Sequence, residues 1–222
     1  MPARHLVKHP ENISFGVAAA SWMQYVTAWG ALIEQAKLST ADFVIVTAAS
    51  SSVGIAAFQI AKAVGATIIA TTRTRAKRQA LMEHGADHVV VTDEEDLVAR
   101  VMELTSGVGA RVVFDPVGGP SFIPLTESMA RGGILLEYGA LSTELTPFSS
   151  VHRTRQELDV EGLSEWRDHK QQAALRKIAN VMSARTQVKC RVRNETSLVL
   201  AWDNASCWYP RNAILTNTNT AA

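Results

Sequence analysis

The chain has 222 residues, 47% apolar and 19% charged, with a formal net charge of +1 at pH 7. That mix is ordinary for a globular protein and gives no bulk electrostatic case for nucleic acid or an anionic membrane. No apolar run approaches the ~18 residues that span a bilayer.

Two distant cysteines, Cys190 and Cys207, form neither a disulfide framework nor a zinc knuckle. The N-terminal stretch lacks the apolar core of a signal peptide, so the expectation is a cytoplasmic protein. Residues 1–14 read as extended, interrupted by Pro2 and Pro10. Residues 15–38 carry helical spacing, with Trp22, Tyr25, Trp29, Leu32 and Ile33 inward and a break expected near Thr27.

Residues 43–47, FVIVT, are a short β-branched run suited to a strand buried on both faces. Small residues follow over 48–54, AASSSVG. From Val53 the period changes, and Val53, Ala57, Ile60, Ala61 and Val64 share one helical face. Gly65 stands where a helix C-cap wants a left-handed residue. Residues 67–71 are a second buried strand, and such a crossover demands a parallel sheet.

The turn carries the chemistry. A dinucleotide fingerprint puts small residues where backbone approaches a pyrophosphate at the positive end of a helix. Its G-x-G-x-x-G register is filled here by Ala49, Ser51 and Gly54, so only the third glycine is present. The motif alone is weak; its place between a strand and a helix is the context it requires. A small-residue turn in any α/β protein reads the same way.

The second strand end bears on the cofactor. An NAD binder usually places Asp or Glu there for the ribose 2′-hydroxyl. This chain has Arg73, followed by Thr74, Arg75, Lys77 and Arg78. Cations and hydroxyls attract a 2′-phosphate, which favours NADP over NAD. A solvated basic helix start is the plain alternative.

Residues 76–84 read as a helix stopped by Gly85, and 88–91 as a third strand. Thr92 is expected to cap a helix reaching about residue 105, with Asp93, Glu94 and Glu95 in its first turn. Residues 110–114 are a fourth strand, 121–130 a helix and 133–138 a fifth strand. The fold class is α/β, a Rossmann-type doubly wound parallel sheet whose ligands sit outside the carboxyl ends of its strands. Beyond residue 150 only Gly162 remains of thirteen glycines. A helix at 164–184, a strand at 188–192 or 198–202, and a disordered end are expected there.

Five pieces together resemble a known family: AAASWMQYVTAWGAL (18–32), VIVTAASSSVGIAAFQIAKAVGATIIATTRTRAKRQAL (44–81), HGADHVVVTDEEDL (84–97), GVGARVVFDPVGGPSF (107–122) and GGILLEYGALS (132–142). The chain is similar, over roughly residues 1–148, to the nucleotide-binding half of the medium-chain dehydrogenase/reductase superfamily, in its zinc-independent quinone oxidoreductase branch. The resemblance implies NADPH as cofactor, no metal, and hydride transfer to a small quinone or to the activated double bond of an enone or enoyl thioester. By similarity, Ser50, Ser51, Ser52 and Val53 line the pyrophosphate. Arg73, Thr74 and Lys77 hold the 2′-phosphate. Val117, Gly118 and Gly119 flank the adenosine side. Tyr138 and Gly139 approach the nicotinamide, and Thr27 faces the cleft. No catalytic residue is assigned.

The family carries a GroES-like substrate lobe ahead of the point where this chain starts, and nothing after about Phe148 matches its return segment. The expected organisation is a helical lead-in (1–42), an NAD(P)-binding domain (43–148) and a divergent tail (149–222). That pattern suggests a truncated gene, with an inactive nucleotide-binding remnant as the alternative function. An exposed sheet edge and apolar helices would favour a homo-oligomer. Two rival classes fit less well. A methyltransferase usually wants an acid where Arg73 stands. A short-chain reductase needs Tyr-x-x-x-Lys, but Tyr25, Tyr138 and Tyr209 are followed at that spacing by Trp29, Ser142 and Ala213.

Overall fold

The computed structural model describes residues 10–147 and 159–162. Within them lie six strands: β1 Phe43–Val46, β2 Thr67–Thr72, β3 His88–Val91, β4 Ala110–Asp115, β5 Met129–Glu137 and β6 Asp159–Gly162. They form one sheet in the order β3-β2-β1-β4-β5-β6. Every neighbouring pair is parallel. Five α-helices accompany them: α1 Phe15–Trp29, α2 Ser52–Val64, α3 Arg78–Glu83, α4 Leu97–Leu104 and α5 Phe122–Glu127.

Strand alternation divides the core into two layers. Val44, Val46, Ile68, Ala70, Val112, Phe114 and Leu136 pack with Tyr25 and Trp29 of α1, Phe58 and Ile60 of α2, and Leu81 of α3. Ile45, Ile69, Val90, Val113 and Leu135 face the other way, onto Leu97 and Val101 of α4 and Phe122 and Leu125 of α5. Successive side chains of a strand point to opposite faces, so strands covered by helices on both sides are apolar throughout. The chain builds outward from β1 through β2 to β3, then crosses back to lay β4 on the other side of β1. The crevice of a doubly wound sheet opens at that reversal.

The close packing of α2 on β1 depends on Gly54. A Cβ there would lie 2.5 Å from the Ala49 carbonyl oxygen, a backbone atom. The helix ends at Gly65, as its position in the sequence predicts.

Several expectations are corrected. The helix over 15–38 does not break at Thr27: α1 continues to Trp29 and widens into a π-helical turn, Gly30–Gln35. The Thr27 hydroxyl donates to the Met23 carbonyl at 2.9 Å, which accommodates the branched residue inside the helix. Thr92 is no N-cap. Its amide donates to the Thr72 carbonyl at 2.8 Å, and the cap of α4 is Asp96, which accepts from the Ala99 amide at 2.8 Å. The expected helix at 121–130 is shorter, because Met129 already pairs with Ala110 and opens β5. The sheet also runs beyond residue 148: β6 pairs with β5 from Ile134↔Asp159 to Glu137↔Gly162. The helix expected at 164–184, the strand at 188–192 or 198–202, and the end of the chain lie outside the described residues. Among the described residues, no helix is long and apolar enough to cross a membrane.

Candidate functional site

The carboxyl ends of β1, β2, β4 and β5 supply the candidate residues. The chain leaves β1 through Thr47, which is buried, and Ala48, at φ +43°. The Ser51 amide donates to the Ala48 carbonyl at 2.8 Å and closes the turn. Ser51 Oγ then accepts from the Gly54 amide at 3.0 Å and caps α2. Ala49 and Val53 are buried, while Ser50 and Ser52 are exposed at the positive end of the helix.

The basic run after β2 sorts into two groups. Arg75 holds Glu94 through Nε and Nη2, at 3.0 and 2.5 Å. That hydrogen bond keeps the Glu94 carboxyl below the usual carboxylate range. Arg78 pairs with Glu95 at 3.4 Å. Arg73 and Lys77 form no ion pair among the described residues, and both are exposed. Lys77 Nζ instead donates to Ser50 Oγ at 3.2 Å, which brings a cation from the β2 end onto the β1 turn. Thr74 is exposed beside them.

At the end of β4, Asp115 is fully buried. Its Oδ1 accepts from the Val117 amide at 3.0 Å and its Oδ2 from the Gly118 amide at 2.9 Å. It also accepts from the Thr47 hydroxyl, tying the ends of β1 and β4 together. Gly118 and Gly119 follow at φ +63° and +66°, a conformation that favours glycine. The segment after β5 folds over this turn. Leu141 and Ser142 amides donate to the Pro116 and Val117 carbonyls at 2.9 and 2.8 Å, and the Gly119 amide donates to Thr146 Oγ1 at 2.9 Å.

Tyr138 closes the group. Its ring stacks on Phe114, with centroids 4.0 Å apart and 19° between planes. Burial, and then the nearby Asp115 charge, push its phenol above its ordinary range, while a hydrogen bond with Ser51 opposes them. Gly139 packs against Pro116.

The structure therefore brings together, at one sheet end, Ala49, Ser50, Ser51, Ser52, Val53 and Gly54 with Arg73, Thr74 and Lys77. Across the reversal stand Val117, Gly118, Gly119, Tyr138 and Gly139. Thr27 is half-buried on α1, and its hydroxyl bond stays within that helix. Sequence reasoning did not single out Glu137 or Thr146 as site residues, and it gave Asp115, at the end of the fourth strand, no binding role. For Asp115 the signal was present: Asp-Pro-Val-Gly-Gly is the spelling of a turn in which the Asp side chain accepts from the backbone two residues on.

Residues 52–180 match the zinc-binding dehydrogenase family. The chain is 36% identical over 137 residues to quinone oxidoreductase 1 of Escherichia coli K12, covering 62% of this chain and 42% of that protein. It is 36% identical over 132 residues to a mycocerosic acid synthase-like polyketide synthase of Mycolicibacterium smegmatis, covering 60% of this chain and 6% of that protein. The solved structure of E. coli quinone oxidoreductase complexed with NADPH superposes with a TM-score of 0.73 at 29% identity, covering 82% of this chain and 57% of that one. This chain thus spans less than half the length of the E. coli quinone oxidoreductase it matches in sequence. The family's name mentions zinc, but among the described residues no group of three His, Cys, Asp or Glu gathers to hold a metal ion. The family match continues to residue 180, well past the point where the sequence pattern stops being legible. The chain belongs to the zinc-binding dehydrogenase family, in the quinone oxidoreductase-like branch of the medium-chain dehydrogenase/reductases.

Proposed function

We propose that this chain is the NADPH-binding domain of a zinc-independent oxidoreductase that delivers hydride to a quinone or to an activated carbon–carbon double bond. The observation that carries the reading is the sorting of the basic run. Glu94 and Glu95 engage Arg75 and Arg78, which leaves the exposed Arg73, and Lys77 beside Ser50, for a further anion. A 2′-phosphate is such an anion, and charge-assisted hydrogen bonds from Arg and Lys are among the stronger polar contacts.

The residues present fit the cofactor in shape as well. Gly54 holds α2 close against the Ala49 carbonyl, so the backbone of the turn stays low where a pyrophosphate would lie. Ser50 and Ser52 present hydroxyls there. NADPH, when bound, supplies the hydride. The chain's own groups do the rest. Ser50, Ser52 and the start of α2 take the pyrophosphate, Arg73, Thr74 and Lys77 take the 2′-phosphate, and Tyr138 and Gly139 wall the crevice. The cytoplasm, a small quinone or enone as substrate, and a homo-oligomer complete the reading. The names of the relatives support the quinone, and two distant cysteines suit a reducing compartment.

The test is a fluorescence titration of the full chain with NADPH and with NADH. Wild type is expected to prefer NADPH. Arg73→Asp is expected to shift the preference toward NADH by about 1–3 kcal/mol, the scale of a charge-assisted hydrogen bond lost and a repulsion gained. Equal affinities in wild type would sink the assignment.

A further inference from the structure

The turn after β4 is held from two sides, and each of its amides already has an acceptor. Val117 and Gly118 donate to Asp115, and Gly119 donates to Thr146. The Gly118 carbonyl accepts from Ser121 Oγ at 2.7 Å and the Val117 carbonyl from the Ser142 amide. Thr146 arrives from 27 residues downstream, on the segment that folds back after β5. Its hydroxyl also faces the Glu137 carboxyl, at the end of β5, and favours its charged form. A Cβ on Gly118 would lie 2.5 Å from Glu137 Oε1 and 2.9 Å from Thr146 Oγ1. The Glu137–Thr146 pair therefore backs the turn directly.

We infer that Thr146 is a positioning residue for the cofactor crevice. Its single hydroxyl accepts from Gly119 and, with the Glu137 carboxyl, stands against Gly118, and so latches the segment after β5 onto the Gly118–Gly119 turn and sets the height of that wall. The inference rests on the NADPH reading above. Thr146 itself touches no cofactor atom in this scheme; it acts through Gly119. Geometry gives the reason for a hydroxyl. A hydroxyl can donate and accept at once, whereas the methyl of Val does neither. Removing it would leave the Gly119 amide without its acceptor and free residues 140–146 from one of their ties to the turn.

The experiment uses the full chain with Thr146→Val, Thr146→Ala and Thr146→Ser, and two readouts. Amide hydrogen exchange at Gly119, without cofactor, reports the latch. NADPH titration reports the crevice. Val and Ala variants are expected to exchange Gly119 faster and to bind NADPH about five- to tenfold more weakly, the size of one lost hydrogen bond. The Ser variant is expected to behave as wild type in both, a rescue that a filler of space would not show. Should the Val variant unfold, the Ala and Ser pair decides. Faster exchange with NADPH affinity equal to wild type overturns the positioning role alone. Unchanged exchange in Val and Ala overturns the latch itself. Absence of NADPH binding by wild type overturns the parent reading and the positioning role together, and the exchange data still show whether the latch exists.

Discussion

Among the described carboxyls, Glu137 is one whose ionisation the fold works against. Burial, and then the Asp115 charge on the neighbouring strand, raise its carboxyl above the ordinary value, and the Thr146 hydrogen bond opposes them. Asp115 and Glu137 are register partners, which is why their charges meet. The folded chain thus holds this proton more tightly than the unfolded chain does. The associated stability is present in full below the unfolded value of 4.5 and is lost as pH rises through the folded value. Glu137→Gln removes that dependence while keeping an acceptor for Thr146. Urea denaturation of both proteins from about pH 4 to pH 8 is the check, with the difference between them isolating this group from every other titration. The variant is expected to gain on wild type as pH rises. A constant difference across the range would show that Glu137 is as well solvated folded as unfolded. None of this was legible before the register was known, because Asp115 and Glu137 are far apart in sequence and only strand pairing makes them neighbours.

The strand–turn–helix from β1 into α2 is the element on which binding depends most, and Gly54 is where it is most easily broken. A Cβ at this position meets the backbone of Ala49, which cannot rotate away as a flexible side chain could. Gly54→Val would push α2 off β1 and displace the Ser51 cap with it. The expected result is loss of NADPH binding together with destabilisation of about 1–3 kcal/mol or more, the cost of overpacking a fitted contact. Thermal melting and cofactor titration check it, and a variant with the wild-type melting temperature and affinity would contradict the packing. This element was readable in advance because a β-branched apolar run, a small-residue turn and a change of period all point the same way. The elements that were not readable each lacked one such signal. Asp159–Gly162 is spelled DVEG, without apolar alternation, so β6 was invisible. The acids at 93–95 look like the first turn of a helix, yet Glu94 and Glu95 instead pair with Arg75 and Arg78. The basic run could be seen in the sequence, but which cations in it remained available could not.

At the scale of the whole molecule, the strand order sets the sequence of events by which the sheet is completed. β1 is the centre, and its first neighbour, β2, follows after one helix. Its second neighbour, β4, comes only after β2, α3, β3 and α4 have been made. The bond that seals their ends, Thr47 to Asp115, spans 68 positions. A strand with an unpaired apolar edge is a template for association with other chains. A fragment ending at Leu104 is therefore expected to sediment as aggregate on expression, whereas one that extends through Gly162 stays in the supernatant. Equal partitioning of the two would mean that the open side of β1 is harmless. The same geometry bears on synthesis. As the polypeptide leaves the ribosome, the future middle of the sheet waits with one side bare while more than sixty residues are added. At ~5–20 residues per second that exposure lasts several seconds. Nascent copies on neighbouring ribosomes of one message carry the same bare edge during that interval, so slower translation between β2 and β4 is expected to lower the share of this protein that reaches its native form.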